Sequence, residues 1–197
     1  MDKRDAALQM TCPTVMVPRF SALPPADRAG ERFLIAANGV FLEVTRAWAR
    51  FVRKVGEINA PVPYGECHET DEWKAPELPA SLLVEFQRLA RATPEVEIGA
   101  GIVWNQHSNQ YRLLPVETLA ASGSHLKYRP PVLSDGDHLI VDCHSHARFQ
   151  AFFSKTDNDD DRWSVKIAYV VGNCERAAVS TATRLCLKGI FENITLD

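Results

Sequence analysis

No stretch of this chain approaches the ~18 consecutive apolar residues of a membrane-spanning helix. The opening residues, MDKRDAALQMTCPTVMVPRF, have neither the apolar core nor the small-residue cleavage site of a secretory signal. Basic residues are not in excess: 22 Lys and Arg stand against 25 Asp and Glu, for a formal net charge of −3. The electrostatic footprint of a nucleic-acid binder is therefore missing. No internal repeat is visible. The five cysteines (Cys12, Cys67, Cys143, Cys174 and Cys186) are odd in number and contain no C-x-x-C pair. That spacing excludes a zinc ribbon and favours buried free thiols in a reducing compartment. Together these absences point to a soluble, cytoplasmic protein with no nucleic-acid and no membrane partner.

What is present suffices for a packed core. Hydrophobic residues make up 46% of the 197 residues, enough for one ordinary domain plus an appendage. Residues 1–25 are poor in regular pattern and carry Pro13, Pro18, Pro24 and Pro25. Then RFLIAANGVFLEV places Asn38-Gly39 between two strand-like runs. This predicts a hairpin closed by a type I′ turn, which needs positive φ at both central residues. Its apolar side chains Phe33, Ile35, Val40 and Leu42 need a surface to cover. TRAWARFVRKVG reads either as a further strand or as a short helix. The stretch 59–79 is rich in proline and acid and reads as a linker. The expected division is a β-rich region over 1–78, linker included, and a second domain over 79–197. Trp48, Phe51, Tyr64 and Trp73 gather in the first part, either as filling between the two parts or as a partner surface.

The clearest helix is PASLLVEFQRLARATP, with Leu82, Leu83, Phe86, Leu89 and Ala90 on one stripe. Pro79 suits its first turn and Pro94 stops it. EVEIGAGIVW then alternates, placing Glu97, Gly99, Gly101 and Val103 on one face. NQHSNQ is a turn and YRLLPV the returning strand. SHLKYRP, DHLIVDCHSH and WSVKIAYVVG are further strands. Strands around an early helix put the fold in the α/β (α+β) class.

The chemistry concentrates in VDCHSHARFQAFFSKTDNDDD. Residues two apart on a strand point the same way, so His144 and His146 offer two imidazoles to one point. Ser154 and Asp157, three apart, suit a capping box at a helix start. They also suit a helix start that turns Asp157 toward the histidines. Two histidines and one carboxylate make three protein ligands and leave a fourth position open, the pattern of catalytic zinc. Glu97 shares its strand face with two glycines, and glycines inside a strand mark close approach by a ligand or another backbone. A glutamate buried there needs a partner; otherwise it is an exposed strand-end residue like Glu95. Other metal templates fit worse. HSHARF lacks the D-H of an H-x-H-x-D-H cluster, and an amidohydrolase barrel needs roughly 250 residues. DNDDD lacks the glycine and terminal glutamate of a calcium loop, so Asp159, Asp160 and Asp161 read as a solvated face.

The pattern H-x-H, seven residues, S, two residues, D, written here as HSHARFQAFFSKTD, resembles the signature of the JAB/MPN/JAMM zinc metalloproteases. In that family a glutamate precedes it on the strand after the first helix; EIGAGIVW, led by Glu97, stands in that place. Over most of the chain, GVFLEVTRAW, PYGE, VDCHSH, AFFSKTD and VVGNCE are similar to the PRTRC system A group. These are JAB-domain proteins of bacterial operons that also encode ubiquitin-like, E1-like and E2-like proteins. Two departures stand out. Many members have proline where this chain has Ala147, and EIGAG replaces the usual E-x-x-G, with Glu95 a neighbouring carboxylate.

The resemblance implies a curved β-sheet flanked by helices and a deubiquitinase-like isopeptidase acting after the C-terminal tail of a ubiquitin-like modifier. It implies Zn²⁺ on His144, His146 and Asp157, Glu97 as general base and Ser154 as oxyanion donor. The modifier or its conjugates, and the E1-like and E2-like proteins, become the expected partners. A different class is also open: an inactive JAB scaffold that binds the same partners. A third reading is a metal-dependent hydrolase of a cysteine-derived small molecule or a sulfur-carrier adduct.

Overall fold

The computed structural model describes residues 1–122 and 125–196; Ser124, the first residue of the expected SHLKYRP strand, lies outside them. The chain divides into two compact units, Met1–Pro76 and Glu77–Asp197.

In the first unit, a helix α1 (Lys3–Thr11) precedes five strands: β1 (Thr14–Met16), β2 (Gly30–Ala36), β3 (Gly39–Thr45), β4 (Ala49–Gly56) and β5 (Thr70–Trp73). They form one sheet in the order β1-β2-β3-β4-β5. β1 runs parallel to β2 and the other pairs are antiparallel. The opening residues are thus more regular than their prolines suggested. α1 is capped by the Asp2 carboxylate, which accepts from the Arg4 amide at 2.8 Å, yet it buries no side chain. That is why no apolar stripe announced it. Of TRAWARFVRKVG, Ala49–Gly56 form strand β4, and no part is helical.

The expected hairpin is present but turns differently. Ala36 pairs with Gly39, so Ala37 and Asn38 form the loop, and neither has positive φ. A type I′ turn is therefore excluded. Gly39 carries the unusual backbone instead, at φ 143°; a Cβ there would fall 2.7 Å from the Gly56 carbonyl. Asn38 has other work. Its side-chain amide donates to the Cys67 carbonyl at 2.7 Å, and its carbonyl accepts from the Cys67 amide at 3.0 Å. This pair of hydrogen bonds ties the proline-rich stretch to the hairpin. The Gly65 amide donates to Val17 and the Ala37 amide to Gly65. Residues 59–79 are consequently no free linker. They include β5 and lend Cys67 to a core of Val17, Leu34, Ala36, Phe41 and Val52. This core uses the face opposite to Phe33, Ile35, Val40 and Leu42. Both faces of β2 and β3 are apolar, so alternation alone could not choose between them. Trp48, Phe51 and Trp73 form a ring cluster with centroids 5.3–5.7 Å apart.

The second unit opens with helix α2 (Ala80–Ala92), which buries Leu83, Phe86 and Ala90. Pro79 stands at its N-cap rather than in its first turn. Next come β6 (Gly99–Asn105), β7 (Gln110–Pro115), β8 (Glu117–Ser122), β9 (His125–Arg129) and β10 (Asp137–Ser145), then α3 (Lys155–Asp161), β11 (Val165–Gly172), β12 (Ser180–Leu187) and β13 (Ile190–Asn193). A six-stranded sheet runs β13-β12-β11-β10-β6-β7, and among the described residues β8 pairs only with β9. The chain is of mixed α+β class. β10 and β11 are parallel, so their connection must cross the sheet, and α3 lies in that crossover. α2 covers one face: Phe86 meets the Tyr169 ring edge-on, and Gln87 donates to the Tyr169 hydroxyl at 2.7 Å. Tyr169 is aligned with Cys143, and Cys143 with Ala100, which marks the residues of that face. Their neighbours Asp142, His144 and Ala168 point to the other. The pairing of β10 with β6 shifts register between Leu139 and Val141, and from Val141 to His144 it runs regularly.

Candidate metal centre

β10 ends in Asp142-Cys143-His144-Ser145, and His146 follows directly. Hydrogen bonds hold this end on both sides: Ser145 donates from its amide to Ile98, and His146 to Val171. The Ser145 hydroxyl also accepts the Ile98 amide at 3.0 Å. The two imidazoles meet as the strand period requires, with Nε2 atoms 3.2 Å apart. The chain then bends at Ala147, whose φ of 48° is closed to proline. The departure from the common H-x-H-Pro text thus matches the backbone at this residue. Gly172 admits the next segment: a Cβ there would lie 2.3 Å from the Phe149 carbonyl and the Ala151 amide.

Both readings of Ser154 and Asp157 hold at once. Ser154 is the N-cap of α3 and accepts the Asp157 amide at 3.1 Å, while the Asp157 Oδ2 accepts the Ser154 amide at 2.6 Å. That capping box leaves Oδ1 directed to His144 Nε2 at 3.4 Å, with Oδ2 4.0 Å from His146 Nε2. One donor atom from each of His144, His146 and Asp157 lies within 4.8 Å of the others, a group able to hold a metal ion. Ligands at ~2.0–2.1 Å on a tetrahedral zinc stand roughly 3.3 Å apart, and the two closest separations fall near that length. Burial, then the neighbouring His144, lowers the His146 pKa, which favours the neutral imidazole that a metal requires.

Glu97 lies two residues ahead of β6 and is 8% exposed. It lines the same cleft of about 340 Å³ as His144, His146, Ser154 and Asp157. Burial first, and the Asp157 charge second, push its pKa up to about 7. Glu95 is exposed and paired with Arg148. The glycines on the Glu97 face are indeed closely approached, by side chains. A Cβ on Gly99 would lie 3.0 Å from Val116 and 3.2 Å from Leu126, and one on Gly101 2.7 Å from Leu139. The Ser122 carbonyl at the end of β8 accepts the Glu97 amide at 2.9 Å.

One expectation is overturned. Asp159 and Asp160 are exposed, but Asp161 is 5% exposed and is no part of a solvated face. α3 carries it round one turn from Asp157, to the side facing the sheet. There it meets Lys166 at 2.8 Å and Arg184 at 2.7 Å. Burial alone would raise its pKa; the two cations outweigh burial and hold it below the usual range. Lys166 also bonds Asp142 at 2.5 Å, and the Tyr128 hydroxyl donates to Asp142 at 3.2 Å. Tyr128, Asp142 and Lys166 line the cleft and escaped the sequence reading. Their signal was present: Asp142 stands two residues before His144, and Lys166 interrupts an otherwise apolar strand.

Residues 79–186 match the family of prokaryotic homologs of the JAB domain. This chain belongs to that family. Ahead of the JAB domain, residues 2–74 match a domain of unknown function, DUF2016. No curated protein matches the chain. The JAB match runs from α2 into β12, and so takes in the whole cleft. No helix among the described residues is long and apolar enough to cross a membrane.

Proposed function

We propose that this JAB protein is a zinc-dependent isopeptidase that cleaves after the C-terminal tail of a ubiquitin-like modifier. One observation carries the reading: His144, His146 and Asp157 converge in the cleft that also buries Glu97. His144, His146 and Asp157 would hold the ion. Zinc there supplies a Lewis acid, which acidifies water and polarises a carbonyl.

The chain's own groups do the rest. The Glu97 carboxylate takes a proton from the attacking water and returns it to the leaving amine. Burial raises the Glu97 pKa in the metal-free chain, and a cation held by the neighbouring ligands would favour the carboxylate, the form that accepts a proton. As N-cap, the Ser154 oxygen accepts from the Asp157 amide, so its hydroxyl proton is free to be donated to the oxygen that gains charge. Such a donor contributes about 3–4 kcal/mol. Phe149 and Phe152, two exposed aromatics that line the cleft, offer apolar surface to an extended, small-residue tail. Ubiquitin-like proteins and their E1-like and E2-like enzymes are the partners this reading names.

The test uses the full chain, a ubiquitin-like protein with a C-terminal extension, and elemental analysis. About one zinc per chain is expected, with cleavage at the end of the modifier. His144→Ala and Asp157→Ala should lose both. Full zinc content in both variants would remove these ligands from the proposal. Bound zinc without cleavage of any modifier fusion or conjugate would leave a binding scaffold in place of an enzyme.

A further inference from the structure

The third metal-ligand candidate, Asp157, sits on a helix of only seven residues. A helix this short has little stability of its own, yet ligand atoms must be held to a few tenths of an ångström. The capping box fixes its first turn. Its second turn is held by charge. Asp161 bonds Arg184 at 2.7 Å and Lys166 at 2.8 Å, and Asn158 accepts from Arg184 at 2.5 Å. Lys166 also bonds Asp142 at 2.5 Å, two residues before His144 on β10. A single ammonium therefore joins the helix that carries Asp157 to the strand that carries the histidines.

All four charged side chains are at most 15% exposed. Burying so many charges adds little stability beyond what apolar residues of similar size would give. What the arrangement does supply is geometry, since Lys166 of β11 meets both carboxylates and Arg184 of β12 meets Asp161 as well. We propose that Lys166, Asp161 and Arg184 are positioning residues that fix Asp157 against His144 and thereby set the affinity of the site for its metal. This inference rests on the metal reading given above.

The experiment measures Zn²⁺ affinity of the full chain by competition with a chromophoric chelator. Lys166→Met and Asp161→Asn should each raise the zinc Kd about 10–100-fold, as loss of an outer partner does at other metal sites. Lys166→Arg, which keeps the cation, should recover most of it. Asp137→Asn serves as the comparison. It removes a buried carboxylate bound to Arg112 and Asn105 at the far end of the same strand, and should leave the zinc Kd unchanged. If the parent chain binds no zinc, the metal reading itself fails. If the parent binds zinc and the two folded variants bind it equally well, the positioning role is wrong. An equal loss in Asp137→Asn would likewise overturn it, because the effect would then be general softening of the fold. Should Lys166→Met not fold, the isosteric Asp161→Asn carries the same decision.

Discussion

Glu97→Gln should make the metal-free protein more stable, and by an amount that depends on pH. The Glu97 carboxyl has an ordinary pKa of 4.5 and is pushed up to about 7 in the fold, by burial first and by Asp157 second. The folded chain therefore binds more protons than the unfolded chain between those values, and stability falls as pH rises through the window. Below 4.5 the carboxyl is protonated in both states and contributes no penalty. Above about 7 the penalty is complete. A displacement from 4.5 to about 7 corresponds to on the order of 3 kcal/mol. For a unit of this size that is about 10 °C in Tm. The substituted amide keeps the shape of the side chain and carries no charge to desolvate. The assay is thermal unfolding of chelator-treated parent and variant from about pH 4 to about pH 9. Their Tm values should lie close together at the acid end, part as pH rises, and differ by about 10 °C at about pH 8. Added zinc should shrink the difference, since a nearby cation favours the carboxylate. A gap that stays constant with pH, or closes toward alkaline pH, would refute the argument that burial raises this group.

Other outcomes follow from the same geometry. Glu97→Ala should retain zinc and lose about 10²–10⁴-fold in turnover, whereas Glu95→Ala, which breaks only an exposed pair with Arg148, should stay active; the reverse result would make Glu95 the base. Ser154→Ala removes the cap of α3 and should lower stability by about 1 kcal/mol, with a larger fall in turnover than in zinc content. Ala147→Pro, which introduces the commoner family residue, should destabilise by about 3 kcal/mol or more because φ at this position is 48°; unchanged stability by chemical denaturation would contradict the left-handed backbone there.

The sequence alone determined the elements whose pattern is local. α2 was legible because its apolar side chains recur at the helical period. The H-x-H pair was legible because the strand period places alternate residues on one face, and Ser154 with Asp157 because a capping box acts across three residues. The spacing of these residues also carried the likeness to JAB enzymes. Elements without such a pattern were hidden: α1 buries nothing, and β8 is exposed along its whole length. Tertiary structure decided the rest. Only pairing in space assigned the turn to Ala37-Asn38, because the two hydrogen bonds between Asn38 and Cys67 span twenty-nine positions. Only packing distinguished Glu97 from Glu95, two carboxylates in the same short text. Only the parallel crossover from β10 to β11 brought Asp161 against Lys166 and Arg184, and so made a buried anchor of the last acid in an apparently solvated run. Burial and charge pairing depend on which strands lie side by side, and local periodicity does not contain that information.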